Sequence, residues 1–199
     1  MTDALRTPEH PIDPLFTNRW SPRAFTGEPI PEAQLLSLIE AARWAPSAYN
    51  AQPWRFVYAL RDTPEWAPIL DGLVEFNQGW AQRASALVVV VSRTVSVSPG
   101  ATEAKPNPWH AFDTGAAWAS LAFQATLAGW YTHAMAGFDA TRLAANIGVP
   151  PDHAIQAVVA IGRPGDKSVL PEGLQAREQP SPRQPFASIA AKGKFGFGG

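Results

Sequence analysis

The chain has 199 residues, of which 46% are hydrophobic, and this apolar content is enough for one domain, 1–199, with its own core. Its formal net charge is −1 and no basic block interrupts the sequence, which disfavours nucleic-acid binders because they neutralise many phosphates. Since the chain has no cysteine, disulfides, thiol nucleophiles and thiolate metal sites are excluded.

The first half of the chain begins with a polar stretch and then alternates helix and strand patterns. Residues 1–14 lack the apolar run of a secretory signal, so we expect a cytoplasmic protein. Apolar residues at the helical period predict an amphipathic helix over 31–44, and the alternating residues 54–60 predict a strand. A weaker helical pattern over 65–84, with a break expected at one of its two glycines, leads into 86–91. That continuous apolar run is typical of a strand covered on both faces.

The middle of the chain contains an irregular segment and then a long apolar helix. Residues 92–107 are polar and proline-bearing without a clear period, so 92–110 is a candidate lid or excursion near a site. Residues 111–129 approach the length of about 20 residues that spans a membrane, but polar residues such as Asp113 dilute them. We therefore expect no membrane span but a fully buried helix, whose small residues suit the centre of a dimer.

The last third adds two strands, one helix and a proline-rich end. Residues 131–135 are a candidate short strand, and 154–161 are a strong one. Residues 139–147 predict a helix, with an aspartate at its N-cap and a glycine after its end. Residues 162–199 are proline-rich and predicted to be mostly extended. Because helices and strands interleave, the class is α+β or α/β.

The common catalytic and metal-binding patterns do not occur in the sequence. The four histidines are widely spaced and acidic residues do not cluster beside them, so we predict no metal site. The nucleophile elbow, the phosphate-binding loop of nucleotide hydrolases and the dinucleotide glycine motif are also missing. Serine-hydrolase and nucleotide-hydrolase chemistry are therefore disfavoured.

A first candidate binding segment contains Arg19, Ser21 and Arg23, spaced by two residues. In an extended chain alternate side chains project to the same side, so two guanidinium groups and a hydroxyl would face one place. Arginine offers planar, bidentate donors, which suit a phosphate and polar ring edges. The alternative is a solvated loop with surface arginines.

A second candidate segment lies between the first predicted helix and the first predicted strand. Ser47, Asn50 and Gln52 are uncharged hydrogen-bonding residues in a loop that Pro46 and Pro53 stiffen. Such a loop can present donors and acceptors to a planar heterocycle without a proton-transfer group. The alternative is a capped turn with no ligand.

Taken in this order, the two segments resemble the nitroreductase family of FMN-dependent oxidoreductases. The family pattern is Arg-x-Ser-x-Arg/Lys, then a helix, then Pro-Ser-x-x-Asn-x-Gln-Pro-Trp, and both motifs match completely. The resemblance continues in collinear order along essentially the whole chain. Further matches lie at Asn77, 113–117, 137–138, 160–162 and Arg183.

The resemblance implies an α+β fold, a three-layer α/β/α sandwich around a mixed, mainly antiparallel sheet. It also implies an intertwined homodimer with two FMN sites at the subunit interface, and residues 185–199 extending towards the partner subunit. The activity implied is the reduction of nitroaromatics, quinones or related small oxidants by NADH or NADPH in a ping-pong hydride mechanism. The cofactor carries this chemistry, so no catalytic side chain is predicted. A protein that stores or senses FMN without turnover is the alternative.

Carried over by position, the resemblance gives each matching residue a role. Arg19 and Arg183 would hold the phosphate, while Ser21 and Arg23 would lie at the ribityl and pyrimidine side. The loop with Ser47 would come from the partner subunit. The full predicted cofactor-binding set is Arg19, Trp20, Ser21, Arg23, Pro46, Ser47, Ala48, Asn50, Gln52, Asn77, Met135, Ala136, Gly137 and Arg183.

Three positions depart from the family pattern. Many members carry a glutamate where this chain has Ala136, and lysines where it has Trp80 and Ser181. The missing lysines remove positive charge near the phosphate and the pyrimidine carbonyl. Trp80 is expected to pack on the ring or fill the pocket, and with Trp109 and Phe112 it is a candidate for the substrate pocket.

Overall fold

The computed structural model describes residues 6–97 and 99–197. The helices are α1 (Pro14–Asn18), α2 (Glu32–Arg43), α3 (Trp66–Leu70), α4 (Glu75–Ala81), α5 (His110–Leu127), α6 (Ala140–Ile147) and α7 (Glu172–Gln175). The strands are β1 (Trp54–Leu60), β2 (Ala86–Arg93), β3 (Val95–Ser96), β4 (Lys105–Pro106), β5 (Tyr131–Met135) and β6 (His153–Gly162).

A four-stranded sheet in the order β1-β2-β6-β5 forms the middle of the protein. Val89 of β2 lies opposite Val57 on one side and Val158 on the other, and a bulge shifts the β2 and β6 register after Val90. Within residues 6–97 and 99–197 every pairing in this sheet is antiparallel. The parallel component of the expected mixed sheet is therefore not found among the described residues of a single chain.

The two faces of β2 belong to two separate cores. Ala86, Val88 and Val90 pack into a cluster with residues of α2 and α5, whereas Leu87 and Val89 face a cluster with residues of α3, α4 and α6. Side chains of a strand alternate between faces, so one apolar run fills both clusters. The predicted doubly covered strand and the three-layer arrangement are both confirmed.

Helix α5 is only half buried, so the prediction of a fully buried helix is wrong for the protomer. Its inner face, with Leu121 and Ala125, is shielded, but Phe112 is 75% exposed and Leu127 is 69% exposed. Alanine and glycine make both faces look equally apolar in the sequence, so periodicity could not separate them. In the described part of the chain, no helix has the length and apolar content needed to cross a bilayer.

The weak helical pattern over 65–84 is two helices, α3 and α4, as its predicted glycine break suggests. The break contains Gly72, where a Cβ atom would lie 2.6 Å from the Leu143 side chain of α6. Residues 92–107 were predicted to be irregular, but they contain the small β3–β4 hairpin. Ser98, within that segment, lies outside the described residues.

The two ends of the described chain pack against each other. The backbone N–H of Phe186 donates to the Glu9 carboxylate at 2.6 Å, and the Phe186 and His10 rings lie 4.5 Å apart. Helix α1, which was not predicted from the sequence, has Asp13 as its N-cap, and the Asp13 side chain accepts from Leu15 N. The expectation that 185–199 reaches a partner subunit stays a prediction.

The segment that follows Arg23 is clamped to the end of β6. Thr26 N donates to Arg163 O at 3.0 Å, and Gly165 N donates to Ala24 O at 2.7 Å. The two backbones are so close that a Cβ on Gly165 would lie 2.9 Å from Phe25 C and Thr26 N. Only glycine fits this approach, and it fixes where the segment with Arg23 enters the fold.

We predict that Gly165→Ala lowers the free energy of unfolding by about 1 to 3 kcal/mol, because backbone atoms cannot yield as a flexible side chain does. Urea denaturation measures this change. Gly173→Ala is the matched control, since nothing lies within 4 Å of its Cβ position. An equal effect of both substitutions would contradict the close-approach explanation.

Candidate functional site

A cavity of about 540 Å³ lies where α1, β5 and the C-terminal segment meet, and we name it the arginine pocket. Its volume falls in the usual range of small-molecule sites. No carboxylate lines it among the described residues, although five arginines do. The lining residues are Arg6, Arg19, Trp20, Ser21, Arg23, His133, Ala176, Arg177, Gln179, Pro180, Ser181, Pro182 and Arg183.

The Arg-x-Ser-x-Arg segment reaches this pocket because it leaves α1 in an extended conformation. Arg19 is the C-cap of α1 with φ −67° and ψ 124°, and its Nη1 lies 3.4 Å from the Ser21 hydroxyl. Arg19, Ser21 and Arg23 all line the arginine pocket. The structure thus brings together the three side chains that the spacing places on one side, while their roles towards a cofactor stay predictions.

Three guanidinium groups converge at one end of the pocket. Partial burial lowers the pKa of Arg6, and the neighbouring Arg183 and Arg19 lower it further. Burial and then Arg183 also lower the pKa of Arg19. Like charges held this close without a lining carboxylate are an arrangement that a polyvalent anion would stabilise.

The other end of the pocket is a stack of Arg23, Trp80 and His133. The Arg23 guanidinium lies 5.9 Å from the centre of the Trp80 ring, and the Trp80 and His133 ring centres are 4.7 Å apart. Trp80 is 1% exposed, so it supports the two pocket-lining residues from below. The prediction that Trp80 lines a substrate pocket is therefore wrong for this structure: the indole has no surface to offer.

Glu178 ties the C-terminal segment to the backbone of the arginine segment. Its Oε1 accepts from the N–H groups of Arg23 and Ala24 at 2.6 and 2.8 Å. Burial, and next the neighbouring Arg177, lowers the pKa of Arg23. The Nε of Arg23 is buried and has no hydrogen-bond partner among the described residues.

The pocket residues that sequence reasoning missed include three with charged or titratable side chains, Arg6, His133 and Arg177. His133 had a weak signal, because it lies two residues before Met135 on a predicted strand and shares its face. Arg6 and Arg177 had none, since each lies in a segment without periodicity. Across residues 6–97 and 99–197 no group of three His, Asp or Glu side chains is placed to hold a metal ion.

Asn77 and the turn after β5 lie together but outside the arginine-pocket lining. Asn77 Nδ2 donates to Gly137 O at 3.0 Å, and Val74 N donates to the same oxygen at 3.1 Å. A Cβ on Gly137 would lie 2.5 Å from Asn77 Nδ2, so this contact requires glycine. Met135 is buried and Ala136 is exposed.

The loop with the second motif is held in a strained conformation. Tyr49, Asn50 and Gln52 have φ values of 51°, 54° and 46°, in the left-handed region that non-glycine residues rarely adopt. Gln52 N donates to Ser47 Oγ at 3.0 Å, and the buried Asp113 of α5 accepts from Ala48 N at 3.1 Å. These contacts fix the direction in which the loop points.

This loop lines a different cavity, of about 470 Å³, and shares no lining residue with the arginine pocket. Ala48 and Asn50 face it together with Trp109, which is 55% exposed. The Trp109 and Phe112 rings lie 6.4 Å apart at the start of α5. Residues from the 92–110 segment form another wall of this cavity, and the lid assigned to them stays a prediction.

His133 makes the stability of the protein depend on pH. Burial and the charge of Arg23 lower the His133 pKa from 6.5 to about 4, while its Nδ1 lies 3.1 Å from Pro22 O. The unfolded chain therefore binds a proton between these values that the folded protein does not. The stabilisation is complete above pH 6.5 and is lost as the pH falls towards about 4.

We predict that His133→Gln makes the stability of the protein less sensitive to acid. The free energy of unfolding should fall between about pH 7 and about pH 4 by less than it does in the wild type, with a difference on the order of 3 kcal/mol. Urea denaturation at the two pH values, compared with the wild type, measures it. His10→Gln, at an exposed histidine, is the control. Identical pH profiles for the wild type and His133→Gln would show that His133 titrates normally.

Comparison with known proteins gives one consistent result. The sequence model of the nitroreductase family matches residues 16–65 and 60–163. An NADH dehydrogenase of Thermus thermophilus is 30% identical over 176 residues, which are 75% of this chain and 84% of that protein. An uncharacterised 15.4 kDa protein of Mycolicibacterium smegmatis is 36% identical over 128 residues, which are 64% of this chain and 82% of that protein.

Solved structures agree with the sequence matches. A crystal structure of an oxidoreductase containing FMN is 48% identical, covers 100% of both chains and superposes with a TM-score of 0.94. A putative nitroreductase of Desulfovibrio desulfuricans in complex with FMN has a TM-score of 0.71 at 21% identity, covering 95% of this chain and 100% of that chain. At that identity the second likeness shows the fold alone.

Proposed function

Because the chain belongs to the nitroreductase family, we propose that it is an NAD(P)H-dependent oxidoreductase that binds FMN and reduces nitroaromatics, quinones or related small oxidants. The single observation that carries this proposal is the arginine pocket, which the motif residues Arg19, Ser21 and Arg23 line together with Arg183. The names of the relatives agree with this enzyme class and this cofactor.

The residues of the pocket fit the chemistry of FMN. Its phosphate is an anion, and the end of the pocket with Arg6, Arg19 and Arg183 offers guanidinium donors with no lining carboxylate in the described residues. The buried Nε of Arg23 lacks a partner within the described protein, and a polar ring edge would supply one. A cavity of about 540 Å³ also has the size of a small-molecule site.

In this proposal each part of the protein has one task. Arg19 and Arg183 would bind the phosphate, and Ser21 and Arg23 would hydrogen-bond the ribityl and pyrimidine side. The turn at Gly137, with Asn77 bonded to its carbonyl, would present a backbone N–H to the flavin. When bound, FMN would supply the hydride chemistry between NADH or NADPH and a small oxidant.

Arg23 has the main electrostatic task. Its guanidinium is partly desolvated above Trp80, where a positive charge acts more strongly than it does in water. It would stabilise the negative charge that the pyrimidine side gains on reduction. His133 stays neutral near pH 7 because its pKa is about 4, so it is a hydrogen-bonding residue at that pH and carries no charge into the pocket.

The proposed site is completed by a second copy of the chain. The loop with Ser47, Asn50 and Gln52 is stiff and does not line the arginine pocket of its own protomer. The face of α5 beside it exposes large apolar side chains, among them Phe112 and Trp109, as a subunit interface does. These two observations support a homodimer in which each loop serves the partner's cofactor.

The direct test is the visible spectrum of the purified protein and its response to NADH and NADPH without oxygen. We expect a yellow protein with a flavin spectrum, bleached rapidly by at least one donor and restored by a quinone. A flavin that bleaches slowly or not at all would favour storage or sensing of FMN. A colourless protein that cannot be reconstituted with FMN would overturn the proposal.

We predict that Arg23→Ala weakens FMN retention and lowers the flavin reduction potential, because it removes the positive charge beside the pyrimidine side. The substitution keeps the backbone N–H bonds to Glu178, so the segment stays anchored. Spectroelectrochemistry and FMN titration measure the two effects.

Arg83→Ala is the matched control for Arg23→Ala, since Arg83 is exposed and does not line the arginine pocket. Arg23→Lys keeps the charge and should retain most of the potential. Full occupancy with an unchanged potential in Arg23→Ala would count against this role.

A further inference from the structure

Arg6 lies in the arginine pocket beside Arg19 and Arg183, which the family resemblance assigns to the phosphate. Resting on the proposed function, we infer that Arg6 is a third phosphate-binding residue, and that through it the pocket selects FMN over riboflavin. Arg6 belongs to neither motif, and only the packing of the N-terminal segment brings it there.

The guanidinium of Arg6 is fixed by the backbone at the end of α1. Its Nη1 donates to Thr17 O at 2.7 Å and to Arg19 O at 2.8 Å. A guanidinium has five N–H donors, and these two bonds use one nitrogen. The group is thus oriented at the start of the arginine segment, with donors left to face the pocket it lines.

Arg6 and Arg19 lie close enough to Arg183 to feel its charge. Burial lowers the pKa of Arg6, and the charges of Arg183 and Arg19 lower it further. Because no carboxylate lines the pocket among the described residues, these three cations repel each other. A phosphate dianion would offset this repulsion, since it attracts all three cations and each arginine can donate to its oxygens.

Arg6 also supplies charge where this chain lacks a lysine of the family pattern. Ser181 takes that position, lines the pocket and contacts the Arg183 guanidinium through its hydroxyl and carbonyl oxygens. A serine there adds no cation. Arg6 therefore restores a positive group at the same end of the pocket, from a different segment.

The segments that carry Arg6 and Arg183 are fastened to each other a few residues further on. Phe186 N donates to Glu9, and the Phe186 ring packs edge-on against His10. A cavity between the two segments is lined by both Arg6 and Arg183. The two arginines are therefore held as a pair, and a bound phosphate would link the two ends of the chain.

The test compares the affinities of apoprotein for FMN and riboflavin, which differ only by the phosphate. Flavin fluorescence quenching gives Kd for the wild type, Arg6→Gln and Arg6→Lys, with the exposed Arg83→Gln as matched control. For Arg6→Gln we expect a Kd for FMN about 10-fold to 100-fold higher, since a charge-assisted bond is lost. The Kd for riboflavin should stay within about two-fold, and Arg6→Lys should lose less than Arg6→Gln.

Inorganic phosphate and a double variant separate a direct contact from an indirect one. Phosphate should compete with FMN in the wild type and less well in Arg6→Gln, which shows that the anion alone is recognised. In an Arg19→Gln background, Arg6→Gln should weaken FMN further. No further loss would mean that Arg6 acts only by holding Arg19 O, and it would overturn the inference.

Two other outcomes are decisive. If Arg6→Gln lost the same affinity for FMN and riboflavin, or lost none for either, Arg6 would not bind the phosphate and the inference would be overturned. The proposed function would still stand in that case, provided that the wild type binds FMN. A wild-type protein that binds neither flavin would overturn the proposed function, and this inference with it.

Discussion

Burial of β2 on both faces is the constraint that the rest of the fold satisfies. Alternate residues of its apolar run face opposite sides, so the protein needs a helical layer on each. α2 and α5 cover one face, and α3, α4 and α6 cover the other. The sheet then places the end of β5 and the end of β6 where the segment after α1 can dock, and the pocket forms at this edge.

The shape of the arginine pocket depends on contacts that hold the backbone of the arginine segment more than on the side chains that line the pocket. Glu178 accepts from two N–H groups of the arginine segment, and Gly165 permits an approach that any Cβ would block. These anchors hold the backbone at Arg23 and Ala24 in place, although the charge of Arg23 lies beside that of Arg177. Energy stored as like-charge repulsion in this way favours binding of an anion, because the ligand removes it.

The two motif segments lie at different places on the described chain. Arg19, Ser21 and Arg23 line the arginine pocket, whereas the stiff loop at 47–52, held by Asp113, lines a separate cavity. Exposed aromatic residues at the start of α5 lie beside that loop. In the proposed homodimer this separation is what lets each loop reach the cofactor of the other copy.

The sequence by itself determined the features that depend on residues close to one another along the chain. The period of α2, the capping of α6 by Asp139 and Gly148, and the doubly apolar β2 follow from local patterns, as does the chemistry of the Arg-x-Ser-x-Arg segment. The two helices and β2 were predicted correctly because a helix or strand repeats at a fixed spacing, whereas the binding role of the arginine segment stays a prediction.

Only the tertiary structure decided which distant segments share a surface. Arg6 and Arg177 join Arg19 in one pocket, Trp80 is covered by Arg23 and His133, and one face of α5 stays exposed. No spacing in the sequence encodes these outcomes, since they depend on how the two cores bring together segments far apart in the chain. An arginine in an aperiodic tail looks the same in sequence whether it points to solvent or completes a charged pocket.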